Sequence, residues 1–435
     1  MNLPIALTAE NKEQDPIAEG RDHVMADASF NNEIRWQIIE HTRDVDPLVW
    51  GSLHPQSGAF LCLDYLSALE EAHDEGLEVR MAIFFRGKTP VGIAAFQIAH
   101  FMTSEDAYSN VFLRKLNALA RCIRGKHIHN ILISGNAFAT GEHGFTFSDD
   151  VSMDVIAKSL RGAMDAIAKL EQAKGRRICA MVTKDFYPGL EPVAESLEKY
   201  RFKRFQVDHN MVMPVLPEWQ SFNDYLETLN TKFRTKAKAT LKRSAALEVR
   251  SASAEDINEH AAVLQQLYEN VYEKADFRLG KLNVRTLAGL RARIPGQFSV
   301  NLYFLEGKLV GFMSAMRCGQ VLEAHVIGID YEVNRDHGVY QRMLYDYVAL
   351  AIELRCTRIV YGRTAAEIKS TVGAFPVNLT CSIKHRRSIS NALLRLIIQY
   401  VVPSEYPQRQ PFKAEVQEAL MKIPLYQTPA HAAKK

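Results

Sequence analysis

Two long apolar runs in the chain are each broken once by a Gly-Lys pair. Val79 to Ile98 reads VRMAIFFRGKTPVGIAAFQI, with Gly87-Lys88 between its apolar halves, and Val300 to Arg317 reads VNLYFLEGKLVGFMSAMR, with Gly307-Lys308 in the same place. Both predict antiparallel hairpins. A buried strand is predicted after each, over Ile131 to Phe138 and over Glu323 to Asp330. A loop with His-Gly follows: His143-Gly144-Phe145 in the first half, His337-Gly338 with Tyr340 in the second. Apolar positions then recur at helical spacing, at Val155, Ile156, Leu160, Met164, Ile167 and Leu170, and at Val339, Met343, Leu344, Tyr347, Val348, Ala351 and Ile352. A further strand closes each series, Arg177 to Lys184 and Arg358 to Thr364. The two His-Gly loops lie 194 residues apart, one domain length rather than a solenoid period.

The same module therefore occurs twice. Strand–helix–strand implies locally parallel strands, and the hairpins add antiparallel neighbours. The expected fold is α/β (α+β, mixed sheet): two tandem domains, each a central mixed β-sheet flanked by helices. The boundaries are an N-terminal extension 1–34, a first domain 35–215, a second domain 216–402 and a C-terminal tail 403–435. The second domain opens on a basic helical stretch that Ser221 caps through its hydroxyl. The proline-bearing tail is expected to be extended or frayed.

Composition changes this picture little; charge changes it more. The 435 residues are 47% hydrophobic and 24% charged, which excludes a disordered, collagen-like or disulfide-stapled chain. The net charge of +3 divides unevenly. Residues 1–215 hold 23 Lys+Arg against 29 Asp+Glu, and residues 216–435 hold 30 against 21. The six cysteines form no C-x-x-C pair, and no metal site is expected. Met1 to Asp27 lacks the apolar core of a signal peptide, and Leu393 to Val402 is too short to span a bilayer, so a cytoplasmic location is expected.

Candidate chemistry clusters in the basic half. The helix predicted to start near Gly338 would present unsatisfied N–H groups to an anion, with Arg335 adding charge. Asp330 and Tyr331 end the preceding strand, where α/β ligand sites tend to lie. Arg363, Lys369, Lys384, His385, Arg386 and Arg387 form either a phosphate pocket or a solvated face. The basic stretch Lys232 to Arg243 faces either an acidic partner, RNA or membrane, or only solvent. In the first half, Glu142-His143 is an acid/base pair or a structural one, and Lys184-Asp185-Phe186-Tyr187 follows the last strand.

Arg335-x-x-Gly338-x-Tyr340, between a strand and an amphipathic helix, resembles the core motif of the GNAT acyltransferases. In that superfamily the loop amides hold the pyrophosphate of acyl-coenzyme A. Tyr340 stands where the family has a small residue. The repeated module, the stretch FNDYLETLNTKFRTKAKATLKRSAALEV and the stretch YGRTAAEIKSTVGAFPV resemble the Fem-like and BioF2-like tandem acyltransferases of bacteria, over roughly residues 45–400. The resemblance implies that Arg335, Asp336, His337, Gly338 and Val339 bind the cofactor portion of a donor. It implies that Lys369, in the position of the family's Phe-Lys lysine, stabilises charge at the acyl carbonyl. Tyr340 joins it as a catalytic candidate, and Asp330, Tyr331, Arg363, His143 and Lys184 are substrate-binding candidates.

The implied activity is N-acyl transfer from acyl-CoA, acyl carrier protein or aminoacyl-tRNA to an amine. The alternative is a non-catalytic GNAT-fold binding protein for a phosphate-bearing ligand. No tightly bound cofactor is expected, with acyl-CoA or another acyl carrier as co-substrate. The expected partners are a small or carrier-linked substrate, acyl carrier protein or tRNA, without DNA and with at most peripheral membrane contact.

Overall fold

A computed structural model describes residues 33–55, 58–72, 76–102, 128–274, 280–398, 401 and 403–425. Nearly all of the expected N-terminal extension, Cys122 and the last residues of the tail lie outside them. The strands are β1 (Ile34–Ile39), β2 (Leu77–Arg86), β3 (Thr89–Met102), β4 (Ile128–Ser134), β5 (Phe145–Phe147), β6 (Ile178–Phe186), β7 (Lys203–Pro214), β8 (Leu247–Ser251), β9 (Phe298–Leu305), β10 (Lys308–Cys318), β11 (Val321–Ile329), β12 (Arg358–Val360) and β13 (Phe375–His385).

Both Gly-Lys turns join the hairpins expected of them, β2–β3 and β9–β10. The two predicted crossovers give the parallel pairs, β4 with β6 and β11 with β12. The sheet is therefore mixed, and helices flank it. Two strands end earlier than the sequence suggests. β4 stops at Ser134 because Gly135 takes a positive φ of 131°. β12 stops at Val360 because Gly362 turns away at a φ of 77°.

Sequence periodicity does not show how the two copies join. The thirteen strands among the described residues form one sheet, in the order β1-β2-β3-β4-β6-β13-β7-β12-β11-β10-β9-β8, with β5 on β3. The last strand of each copy sits inside the other copy. β13, from the second half, lies between β6 and β7 of the first. β7, from the first half, lies between β13 and β12 of the second. Each exchanged strand satisfies backbone donors and acceptors that the other copy would leave unpaired.

The helices complete the union. On one face, Phe60, Tyr65 and Leu69 of the first copy share a single core with Leu264, Leu287, Phe298 and Phe312 of the second. The other face holds two cores. Helix Met153–Ala173 covers the first, and helix Val339–Glu353 covers the second.

The basic stretch is two helices rather than one. Ser221 caps Phe222–Thr228 in a capping box with Asp224, and Asn230 caps Thr231–Arg243. The tail, expected to be extended or frayed, runs without helix or strand over 403–411 but is held down beyond it. Phe412 is buried beside Trp219 and Tyr225, and helix Ala414–Met421 buries Leu420. Burying a Phe stabilises by roughly 1.5–3 kcal/mol, enough to hold a short segment down. Among the described residues no helix is long and apolar enough to cross a membrane.

The interlock makes a specific prediction. Residues 1–218 and 219–435, produced separately, should each lack a cooperative thermal transition, because each lacks a strand from the middle of its sheet. Mixed during refolding, they should recover one, as read by circular dichroism.

Candidate functional site

The interlock brings loop Gly135–Gly144 and the end of β6 against the end of β12 and the turn after it. Two buried lysines mark this seam, one from each copy. Lys184, at the end of β6, donates to Asn136 O at 2.6 Å, to Ala139 O at 2.7 Å and to the Asp185 carboxylate at 2.6 Å. An ammonium has three donors, so Lys184 is fully used. Its stem also fills the space over Gly135, where a Cβ would lie 2.5 Å from Lys184 Cγ. Lys369 lies in the short helix Ala366–Ser370 and donates to Tyr361 O at 2.6 Å and Gly362 O at 3.2 Å. One valence of its amine has no partner among the described residues. Burial pulls its pKa down to about 7.

Arg363 pairs with Asp185, so the second copy's turn is tied to the first copy's strand. Asp185 also accepts from Gly141 N at 3.1 Å. The Cys381 thiol of β13 lies 3.5 Å from the same carboxylate.

A second group of buried titratable side chains adjoins these. His143 must donate from Nε2 to Thr140 O at 3.2 Å, since a carbonyl only accepts. Burial, with Lys184 nearby, pulls its pKa down to about 3, so the ring stays neutral. Glu323 of β11 lies 4.0 Å from His143 Nε2 and makes no hydrogen bond among the described residues. Burial lifts its carboxyl to about 8 despite the attraction of Arg358. His325, two residues on and on the same strand face, is pulled down to about 4 by burial. Its Nδ1 is 3.4 Å from Ser314 Oγ, and its Nε2 has no partner among the described residues. Glu142 accepts from Tyr187 N and is lifted to about 8 by burial.

The two groups meet at Thr140. Its carbonyl holds His143, and its hydroxyl lies 3.6 Å from where a Cβ on Gly362 would be, beside Lys369 Nζ. The structure thus brings together His143, Lys184, Arg363 and Lys369 of the sequence candidates. It adds Glu323 and His325, which the sequence reading does not select, and Asp185, which that reading names only within Lys184-Asp185-Phe186-Tyr187. One signal was present: Glu323 and His325 are polar residues at i and i+2 in an otherwise apolar strand, hence on one face.

The remaining candidates lie around the start of helix Val339–Glu353. Asp330 caps helix Tyr331–His337 through Glu332 N and Val333 N, and pairs with Lys308 at 3.2 Å. Tyr331 lies under Lys274 Nζ, 3.3 Å from the ring centroid. Arg335 and Asp336 are exposed, and His337 is part-exposed. Gly338 takes φ 61°, and a Cβ there would lie 2.3 Å from Arg243 Nη2, so the guanidinium rests on it. Val339 is buried at the helix start. The Tyr340 amide donates to Asn334 Oδ1 at 2.8 Å, and burial raises its phenol. This helix is tied toward Lys369: Tyr361 OH donates to Leu344 O at 3.1 Å, and Gln341 reaches Thr371 at 3.4 Å. Among the described residues no group of His, Cys, Asp and Glu could hold a metal ion.

Residues 231–370 match the family model described as the acetyltransferase (GNAT) domain. Over these residues the chain is similar to that domain. The match runs from the basic helix to just past Lys369, and includes Glu323, His325, Arg335 to Tyr340 and Arg363. His143, Lys184 and Asp185 lie outside it. No curated protein matches the chain significantly.

Among solved structures, the chain is similar to FemX at 12% identity, over 74% of this chain and 90% of that one, with a TM-score of 0.45. It is similar to the tandem GNAT protein from the clavulanic acid biosynthesis pathway at 9%, over 81% and 98%, with a TM-score of 0.47. It is also similar to L-PGS from Bacillus licheniformis at 12%, over 84% and 99%, with a TM-score of 0.44.

The perturbed carboxyl gives a signed stability prediction. Glu323 is raised from 4.5 to about 8, so its contribution is complete below 4.5 and lost as pH rises toward 8. Glu323→Gln should therefore gain stability relative to wild type across that window, by up to about 1.4 kcal/mol per pH unit. Urea titrations of both proteins from pH 5 to 8 read the difference, which isolates this group from the lysines and histidines.

Proposed function

We propose that the protein is an N-acyltransferase that moves an acyl or aminoacyl group from an activated carrier to an amine, with Lys369 at the reacting carbonyl. The carrier is acyl-CoA, acyl carrier protein or aminoacyl-tRNA. The observation that carries this reading is the contrast between the two buried lysines. Lys184 has all three donors engaged, whereas Lys369, within the stretch that matches the GNAT family model, holds two carbonyls and keeps one valence unused among the described residues.

As an ammonium, Lys369 aims its remaining N–H at the oxyanion that forms when an amine attacks a thioester or ester. The attacking amine must also lose a proton. Glu323 is suited to take it: its carboxyl titrates near neutral pH and makes no competing hydrogen bond. His143 and His325, held neutral, keep that side of the seam uncharged until the acceptor arrives. The carrier's phosphates belong at the start of helix Val339–Glu353, where Arg335, Asp336, His337, Gly338 and Val339 lie and Arg243 adds a cation.

A second reading has its own observation. The Tyr340 amide is already taken by Asn334, and Arg243 covers Gly338, so fewer amides face outward than a pyrophosphate cradle requires. On that reading the protein binds a phosphate-bearing ligand without turning it over.

Two experiments test these readings. Purified protein with an acyl-thioester and a primary amine should release free thiol, and Lys369→Ala should slow release roughly tenfold or more, the scale for one oxyanion-stabilising group. An unchanged rate in that variant removes Lys369 from the mechanism. Binding without release of thiol, seen as a thermal shift with coenzyme A, supports the second reading.

The pH profile is the sharper measurement. A cation that titrates near 7 and a base that titrates near 8 give a bell between those values. Lys369→Arg keeps its charge, so it should abolish the fall at high pH while the rise remains.

A further inference from the structure

Lys369 is held by a turn that does not hold itself. Its amine rests on the carbonyls of Tyr361 and Gly362. The turn that presents them carries two left-handed residues, Gly362 at φ 77° and Ala365 at φ 55°. The second is an alanine, a conformation that persists only when its surroundings impose it.

The surroundings that impose it come from the first copy. Strand β7 clasps the start of the turn: Tyr361 N donates to Met211 O at 2.8 Å, and Met211 N donates to Gly362 O at 3.2 Å. Asp185 of β6 holds the middle by pairing with Arg363.

Asp185 is itself unusual. It is fully buried, and it is a non-glycine residue at φ 67°. Its one carboxylate receives Lys184 at 2.6 Å, Gly141 N at 3.1 Å, the Cys381 thiol at 3.5 Å and the Arg363 guanidinium. Strain and buried charge concentrated in one side chain mark a group that fixes geometry for others.

Building on the acyltransferase reading, we infer that Asp185 is a positioning residue: through Arg363 it holds the Gly362–Ala365 turn in the shape that seats Lys369. The first copy thus contributes to the second copy's site by supplying the anvil for its lysine. Thr140 is the first-copy side chain nearest the Gly362 end of the cradle, with its hydroxyl 3.6 Å from where a Gly362 Cβ would be. Burial lowers the pKa of Lys369, so the titration of its amine reports how closed the cradle is.

The test is Asp185→Asn, which keeps the size of the side chain and removes its charge. Proteins carrying lysine labelled with carbon-13 at Cε are titrated by NMR, with the Lys369 signal assigned by its loss in Lys369→Arg. In wild type the midpoint should fall near 7. In Asp185→Asn it should rise by one unit or more toward the ordinary lysine range, because a relaxed turn admits water to the amine. Loss of a nearby negative charge alone would move it down, so the direction separates positioning from simple electrostatics. A midpoint that is unchanged or lowered overturns the inference.

If Asp185→Asn does not fold, Arg363→Lys keeps the cation but loses the planar guanidinium that reaches Asp185, and the same upward shift is expected. In thiol release with acetyl-coenzyme A and a primary amine, Asp185→Asn should lower kcat roughly tenfold and leave KM unchanged. Full activity in Lys369→Ala would defeat the catalytic reading while leaving the NMR result standing. An unshifted midpoint beside an inactive Lys369→Ala would defeat only the positioning role.

Discussion

The exchange of β7 and β13 is the constraint on which the rest depends. A strand in the middle of a sheet must pair on both edges or leave a row of buried donors and acceptors unsatisfied. Because each copy receives such a strand from the other, the two halves share one ladder of hydrogen bonds and one core on the helix 63–72 side. The seam between them is consequently an interior. Side chains that would be solvated on an isolated domain are desolvated here, which is why Lys369, Glu323, His143 and His325 all lie away from their usual titration ranges.

Duplication with divergence is visible at the level of single hydrogen bonds. Lys184 lies at the end of β6 and Lys369 in the short helix after β12, and both donate to main-chain carbonyls. The first has gained a carboxylate neighbour in Asp185 and has no donor left; the second has not. The same Asp185 reaches across to Arg363. The two buried lysines thus differ in how many of their donors the fold engages. The difference rests on where a single buried anion sits, since an unshared charge in this interior would cost several kcal/mol.

Much of the architecture was legible in the chain. Hairpins, crossovers and the mixed sheet follow from the Gly-Lys turns and the apolar spacing, which are local properties. The capping of Phe222–Thr228 by Ser221 is also local, and it holds. For the tail, prolines at 403, 407 and 411 say only that no helix or strand continues there. They do not reveal that Trp219 and Tyr225 leave a place for Phe412. Arg358 to Thr364 predicts a longer strand than β12, because Ile359, Val360 and Tyr361 suit a strand while the left-handed turn at Gly362 answers to partners far away in sequence.

The sequence by itself determined the two modules, their element types, the acidic and basic halves, and several of the residues that meet at the seam. Those features depend on neighbours within a few positions, through turn chemistry, periodicity and charge counting. Only the tertiary structure decided which lysine keeps a free valence, that Glu323 and His325 join His143, and that Asp185 faces Arg363. Those outcomes depend on pairs 178 to 182 residues apart, Asp185 with Arg363 and His143 with His325, brought together by strands that cross between copies. A charge acquires its energy from what excludes water around it, and no local stretch of sequence specifies that.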